Sequence, residues 1–256
     1  MLYGAAALAI PLDKFSGQWS FSKGVDNQNL HEFAHFLEQF NKTQATQFDT
    51  VQFISDLNKG LFFESNIPMG YGIGSSGAVC AAVFDRYCID KNIILVDDLK
   101  LKMLFIEMES YFHGTSSGID PLVSYWNRAV HYQKDLFLYS FDLRIIDDIF
   151  LIDTKIKRKT APLVEIYQKK MNQKKFQIIN RKLLRLNEKA IRAFLLVDQI
   201  SLQKYVSEIS SIQFHHFKEM IPLAFQKQWE ESLTDPKLSL KLCGAGGGGF
   251  IIGLRF

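Results

Sequence analysis

Residues Pro68 to Ala78, Pro-Met-Gly-Tyr-Gly-Ile-Gly-Ser-Ser-Gly-Ala, constrain the fold more than any other stretch of this chain. Glycines at 70, 72 and 74 alternate with other residues, two serines follow, and Val79-Cys80-Ala81-Ala82-Val83-Phe84 continues in a helical pattern. Such a segment delivers backbone N–H groups and two hydroxyls to the start of a helix. A helix N-terminus carries N–H donors without intrahelical partners and a partial positive charge, so it favours phosphate. Glycine permits positive φ and lets the main chain approach an anion with no Cβ in the way. The spacing excludes the commoner phosphate loops. Gly70-x-Gly72-x-Gly74 is not the G-x-G-x-x-G of dinucleotide binders, and no Gly-Lys-Ser/Thr follows, as a Walker A loop requires.

Two further segments join it: Glu109-Ser-Tyr-Phe-His113-Gly114-Thr115-Ser116-Ser117-Gly118-Ile119-Asp120, and Lys241-Leu242-Cys243-Gly244-Ala245-Gly246-Gly247-Gly248-Gly249-Phe250. At these residues the chain resembles the GHMP kinases. The family's second motif reads P-x-G-x-G-L-G-S-S-A-A and its third K-x-T-G-A-G-G-G-G. The His-Gly-x-x-Ser-Gly-Ile-Asp segment is most similar to the mevalonate kinases of that family. The matches occur in the family order and extend over nearly the whole span from Tyr3 to Phe256.

The resemblance implies a set of roles. ATP and Mg2+ are the expected cofactors, with the nucleotide held by Pro68, Gly70, Gly72, Gly74, Ser75, Ser76, Gly77, Gly246 and Gly247. Either Ser75 or Ser76 would offer a hydroxyl to magnesium, a hard cation that prefers oxygen ligands; place in the motif favours Ser76. Glu109 becomes the second magnesium ligand and Asp120 the catalytic base, since a carboxylate can take the proton of an acceptor alcohol. His113 is expected to fix the loop, not to act as a base. Departures from the family accompany these matches. Cys243 stands where threonine is common, and a thiol is a weaker hydrogen-bond donor. Met1 to Ala5 match only the last positions of the first motif, without its lysine and glutamate, so a chain truncated at both ends is expected.

The bulk properties narrow the class. A formal net charge of +3 over 256 residues is too small to call for nucleic acid. Cys80, Cys88 and Cys243 show no C-x-x-C spacing, which argues against a disulfide framework or a zinc site and fits a reducing cytoplasm. No apolar run has the length needed to cross a bilayer. The use of 22 phenylalanines reads as core filling. His215-His216 reads as surface, and Lys155 to Lys159 as a solvated basic loop.

Periodicity places a strand at Ala5–Pro11 with Gln18–Lys23 as its hairpin partner, and helices at Leu30–Asn41 and Phe48–Leu57. A strand follows at Leu61–Asn66, then helices at Ser75–Lys91, capped near Ser75 or Ser76, and at Asp97–Tyr111. Val123–Tyr132 and Asp135–Phe141 read as strands. Beyond Phe150–Asp153 come helices at Pro162–Met171, Phe176–Leu196 and Ser201–Met220, then strands at Ser239–Leu242 and Phe250–Leu254. Without regular strand–helix alternation the pattern is α+β. The resemblance makes it a two-domain GHMP kinase fold: a ribosomal protein S5 domain 2-like domain at 1–149, a ferredoxin-like domain at 150–256, and an active site in the cleft between them.

The expected activity is phosphoryl transfer from ATP to the primary hydroxyl of mevalonate, in the cytoplasm. Alternatives are a phosphomevalonate or sugar kinase of the same family, or a catalytically degenerate nucleotide-binding fragment. The expected partners are a small-molecule alcohol and a second copy of the chain in a homodimer, with no nucleic acid and no membrane.

Overall fold

Leu30, Phe33, Ala34, Leu37 and Phe40 recur at helical spacing, and in the computed structural model they lie on α1 (Gln28–Thr43), with Phe33, Ala34 and Leu37 fully buried. The structure describes residues 7–12, 14–133, 136–138, 149–158 and 160–256. The first-motif match at Met1 to Ala5, most of the boundary region before 149, the end of the Asp135–Phe141 strand and Lys159 lie outside the described residues.

Backbone contacts divide the chain into two units. One comprises residues 9–68 and 74–130, and the other residues 69–73 and 131–256 together with 7–8. In the first, α1 is followed by α2 (Thr50–Asn58), α3 (Ser75–Tyr87), the short α4 (Lys91–Ile94), α5 (Asp98–His113) and α6 (Ile119–Trp126). The Asp49 side chain caps α2 by accepting from the Gln52 N–H, and Asp97 caps α5 by accepting from Leu99 and Lys100. Phe53, Phe84, Phe105, Met108 and Leu122 are fully buried between these helices. The ring of Phe84 meets Phe105 at 5.3 Å and Tyr125 at 5.1 Å, both edge-on. One carboxylate is enclosed here without loss of partners: Asp56 accepts from Tyr87 Oη at 3.0 Å, Arg86 Nη2 at 3.1 Å and Gln52 Nε2 at 2.7 Å.

Two strand expectations fail. The segment Gln18–Lys23 does not pair with the first strand: β2 (Gly17–Phe21) runs antiparallel to β3 (Leu61–Ser65), with Trp19 opposite Phe63. The first strand, β1 (Ala7–Ala9), instead joins β4 (Val130–Gln133) and β5 (Leu136–Leu138) in the order β1-β4-β5. Long-range pairing decided this, and alternation alone does not name a partner. Val123–Tyr132 is also not one strand. Its first residues belong to helix α6, which starts after Gly118 in the left-handed region (φ 71°) and buries Ile119, Leu122 and Val123. Pro121 falls in the first turn, where its missing N–H costs nothing.

In the second unit β6 (Ile149–Asp153), β7 (Leu238–Leu242) and β8 (Phe250–Arg255) form an antiparallel sheet in the order β6-β8-β7. With it lie α7 (Thr160–Met171), α8 (Lys174–Leu195), α9 (Gln199–His216) and α10 (Leu223–Ser232). The sequence pattern gave no helix over Leu223–Ser232. That helix carries Trp229, fully buried, whose indole N–H donates to Ser210 Oγ on α9 at 3.0 Å. His215 is exposed and His216 half-buried, its ring 6.1 Å from Phe176. No helix among the described residues is long and apolar enough to cross a membrane.

The packing predicts that Phe84→Ala will cost about 3–5 kcal/mol, the usual loss for a buried phenylalanine. Urea unfolding of the purified chain measures it; a loss under about 1 kcal/mol would contradict the described core.

Candidate active site

The start of α3 is built by glycine. Gly70, Gly72 and Gly74 have φ of 79°, 70° and 78°, and Gly74 itself caps the helix in the left-handed conformation. This corrects the expectation of a serine cap, for no side chain caps α3. The first helical hydrogen bond runs from the Ala78 N–H to the Gly74 carbonyl at 2.9 Å. The N–H groups of Ser75, Ser76 and Gly77 therefore have no acceptor within the helix, which leaves the helix end suited to an anion.

Two side chains of α5 converge on Ser76 of α3. Its hydroxyl donates to Glu109 Oε1 at 3.1 Å and lies 2.9 Å from His113 Nε2. One hydroxyl has one proton, so with it on Glu109 the imidazole must donate from Nε2. The other carboxylate oxygen of Glu109 accepts from Ser116 Oγ, which in turn accepts from the Gly118 N–H at 2.9 Å. Glu109 and His113 share one face of α5 at helical spacing, which is why both reach the same serine. Glu109 is only 4% exposed. Burial raises its pKa above the ordinary 4.5, while the hydrogen bonds from Ser116 and Ser76 pull the other way.

Asp120 is exposed, in the first turn of α6, where a negative charge is favoured. A Cβ on Gly74 would stand 3.3 Å from Asp120 Cβ. A Cβ on Gly77 would stand 2.8 Å from both the Asp120 carbonyl carbon and the Pro121 nitrogen. The two helix starts thus touch main chain to main chain, and only glycine at 77 allows it. The structure brings together Gly74, Ser76, Gly77, Glu109 and Asp120, the residues singled out from two separate sequence segments. Among the described residues no group of three or more His, Cys, Asp or Glu side chains could hold a metal ion. A cation here would have to draw on the Ser76 hydroxyl and the Glu109 carboxylate together with oxygens from outside the protein.

The other unit holds the remaining glycines. Arg158 lies between two of its loops: Nη1 donates to the Cys243 carbonyl at 2.7 Å, and its backbone N–H donates to the Gly70 carbonyl at 3.1 Å. A Cβ on Gly72 would stand 1.9 Å from Arg158 Nη2, and one on Gly244 3.0 Å from it. Arg158 corrects the reading of Lys155 to Lys159 as wholly solvated, although Lys155 and Lys157 are exposed as expected. Nothing local marked it out. Only the pairing of β6 with β8 carries residue 158 to the third glycine segment. Cys243 Sγ lies 3.8 Å from the Gly72 carbonyl, and the Tyr71 and Phe250 rings meet at 5.3 Å. Gly247 donates its N–H to the Met220 carbonyl at 2.6 Å, and a Cβ on Gly246 would stand 2.5 Å from that same oxygen. Pro68 ends the first segment of the unit that carries α1 to α6, immediately before residues 69–73 in sequence.

Residues 33–128 match the family described as GHMP kinases N terminal domain. The chain is similar to mevalonate kinase of Bos taurus, at 28% identity over 222 residues, covering 72% of this chain and 52% of that protein. It is similar to mevalonate kinase of Dictyostelium discoideum, at 25% over 173 residues, covering 58% of this chain and 40% of that protein. The matched part thus spans about half or less of these relatives. Among solved structures, a Lactococcus lactis galactokinase complexed with galactose superposes with a TM-score of 0.61 at 14% identity, covering 98% of this chain and 80% of that one. A mevalonate kinase superposes with a TM-score of 0.60 at 16% identity, covering 99% and 86%.

The raised pKa of Glu109 carries a sign that can be tested. The folded chain holds this proton more tightly than the unfolded chain, so the contribution is fully present below the unfolded value near 4.5. It is lost as pH rises through the folded pKa, and stability then levels off. Glu109→Gln cannot titrate. Its stability relative to the native chain should improve as pH rises through that window, measured by urea unfolding across the acid-to-neutral range. Parallel curves would exclude a raised pKa.

Proposed function

We propose, for a chain that belongs to the GHMP kinases by its N-terminal domain and its fold, that it is an ATP-dependent small-molecule kinase acting on the primary hydroxyl of mevalonate. The observation that carries this reading is the bonding of Ser76 to Glu109 at 3.1 Å beside a glycine-capped helix start, with Asp120 on the helix packed against it. Phosphoryl transfer asks for little covalent chemistry from the protein. It needs an anion cradle, charge neutralisation and a carboxylate near the acceptor oxygen.

Each part has a candidate. The N–H groups of Ser75, Ser76 and Gly77 at the glycine-capped start of α3, which have no acceptor within the helix, suit a polyphosphate. Ser76 and Glu109 are the oxygen donors that would hold Mg2+, which when bound neutralises charge developing on the phosphate oxygens. Asp120 accepts the proton of the acceptor hydroxyl. As the acceptor oxygen bonds to the terminal phosphorus, the bond from phosphorus to the bridging oxygen breaks, giving a phosphate monoester and ADP. His113 holds the Ser76 hydroxyl and takes no part in proton transfer. Mevalonate is favoured over other alcohols by the His113-Gly-x-x-Ser-Gly-Ile-Asp120 segment and by similarity to proteins named mevalonate kinase.

ADP release by the purified chain with Mg-ATP should depend on mevalonate, and not on phosphomevalonate or galactose offered in its place. Asp120→Asn should lower kcat by about 10²–10⁴, the usual size of a lost general base. A rate equal to that of the native chain would remove Asp120 from the chemistry.

A further inference from the structure

The helix α8 gathers positive charge out of proportion to the rest of the chain. Its 22 residues carry seven lysines and arginines against the single acid Glu188, a net charge of +6, while the whole chain holds +3. All seven cations are exposed. The opposite side of the helix is closed: Leu186, Ala190, Ile191 and Phe194 are buried where α8 packs on α9. Along the outer side Ile178, Arg181, Arg185, Lys189, Arg192 and Leu196 succeed one another at spacings of three and four, so they form one line about 27 Å long.

Little of this charge is neutralised within the protein. Lys182 has a carboxylate partner, Glu208 of α9 at 3.3 Å, and Lys189 stands over the Tyr205 ring at 5.5 Å. No carboxylate lies within ion-pair reach of Arg181, Arg185 or Arg192 among the described residues. Like charges four residues apart, as at Arg181, Arg185 and Lys189, destabilise a helix. A face shaped only for solubility would interleave both signs. The line also ends in apolar side chains that nothing covers: Ile178 is 61% exposed and Leu196 67% exposed. Beyond Leu196, Ile200 at the start of α9 is 82% exposed.

We propose that the outer face of α8 docks on an anionic lipid surface. The cations meet headgroup phosphates, and the apolar ends enter the boundary between headgroups and acyl chains. A nucleic-acid backbone would answer the cations but offer Ile178 and Leu196 no apolar partner. Such a contact is peripheral and needs no spanning helix, so it departs from the expectation of no membrane partner, which rested on the lack of a spanning run. It lies within one unit and is independent of the kinase reading.

Sedimentation with vesicles tests it. The purified chain should bind vesicles of equal parts phosphatidylcholine and phosphatidylglycerol, more weakly as salt is added, and should not bind phosphatidylcholine alone. The variant Arg181→Gln, Arg185→Gln, Arg192→Gln should lose on the order of 100-fold in affinity, at about 1 kcal/mol for each cation near an anionic surface. The variant Ile178→Ser, Leu196→Ser should lose on the order of 10-fold. Should the triple variant lack native circular dichroism, Arg185→Gln alone serves, with an expected loss of about 5-fold. Equal binding to the neutral vesicles overturns the proposal, as does binding unchanged by the loss of the arginines. Polyuridylate bound as tightly as the anionic vesicles, with the serine changes having no effect, would assign a nucleic acid and overturn it as well.

Discussion

The close approach of two backbones at Gly77 is the contact on which the candidate site depends. α3 and α6 meet at their first turns, with the Asp120 carbonyl carbon and the Pro121 nitrogen where a Cβ of residue 77 would otherwise stand. Backbone atoms cannot swing aside as a flexible side chain can, so any larger residue must separate the helices. Gly118 fixes the other end of the approach. Its positive φ turns the chain into α6, and a Cβ there would lie 2.6 Å from the Lys102 carbonyl. Two glycines, one inside a helix and one before a helix, thus set where the Asp120 carboxylate stands.

Glu109 shows the opposing tendency. A carboxylate only 4% exposed, partnered by hydroxyls with no guanidinium or ammonium among the described residues, is a poor choice for stability. It is buried on the same helix as Phe105 and Met108, both fully buried. Asp56 makes the contrast concrete, because its buried carboxylate has Arg86, Tyr87 and Gln52 as donors and its pKa lies below the ordinary value. Burial acts most strongly on Asp56 and raises the pKa, and the hydrogen bonds from Tyr87, Arg86 and Gln52 together overcome it. Of the two, only Glu109 gains by meeting a cation. An undercompensated buried carboxylate beside a phosphate-competent helix end is the pattern expected of a functional group.

Much of this was legible in the sequence for physical reasons. The apolar spacing of α1 and α5 follows from one buried face each, although Asp97, which the pattern includes in α5, is its cap and not its first residue. The glycine and serine positions around α3 could be read because close backbone approach leaves few residue choices. What failed was non-local. The partner of Gln18–Lys23 is set by β3 some forty residues on, and alternation is blind to that distance. α6 hid because Ile119, Leu122, Val123 and Tyr125 satisfy a strand-like apolar density as readily as a helical face. α10 is short, its apolar residues split between Leu223 to Phe225 and Trp229, which anchors it through Ser210. The cap of α3 was misread because a glycine in the left-handed conformation can do the work usually given to serine.

The third glycine segment divides its labour in a way composition conceals. Gly244 gives room to the Arg158 guanidinium, and Gly249 lets the chain pass the Tyr71 carbonyl, where a Cβ would come within 2.2 Å. Gly246 and Gly247 serve the interior. The first fits under the Met220 carbonyl, and the second donates its N–H to that same oxygen at 2.6 Å while leaving space for Leu163. A backbone N–H already spent on a carbonyl is not available to an anion, so the N–H of Gly247 fixes the loop and offers a ligand nothing. The Gly249 N–H is committed in the same way, to the Ile156 carbonyl at 2.8 Å. Arg158 and Lys241 are the side chains that the carbonyls of Cys243 and Leu242 hold at the loop's entrance.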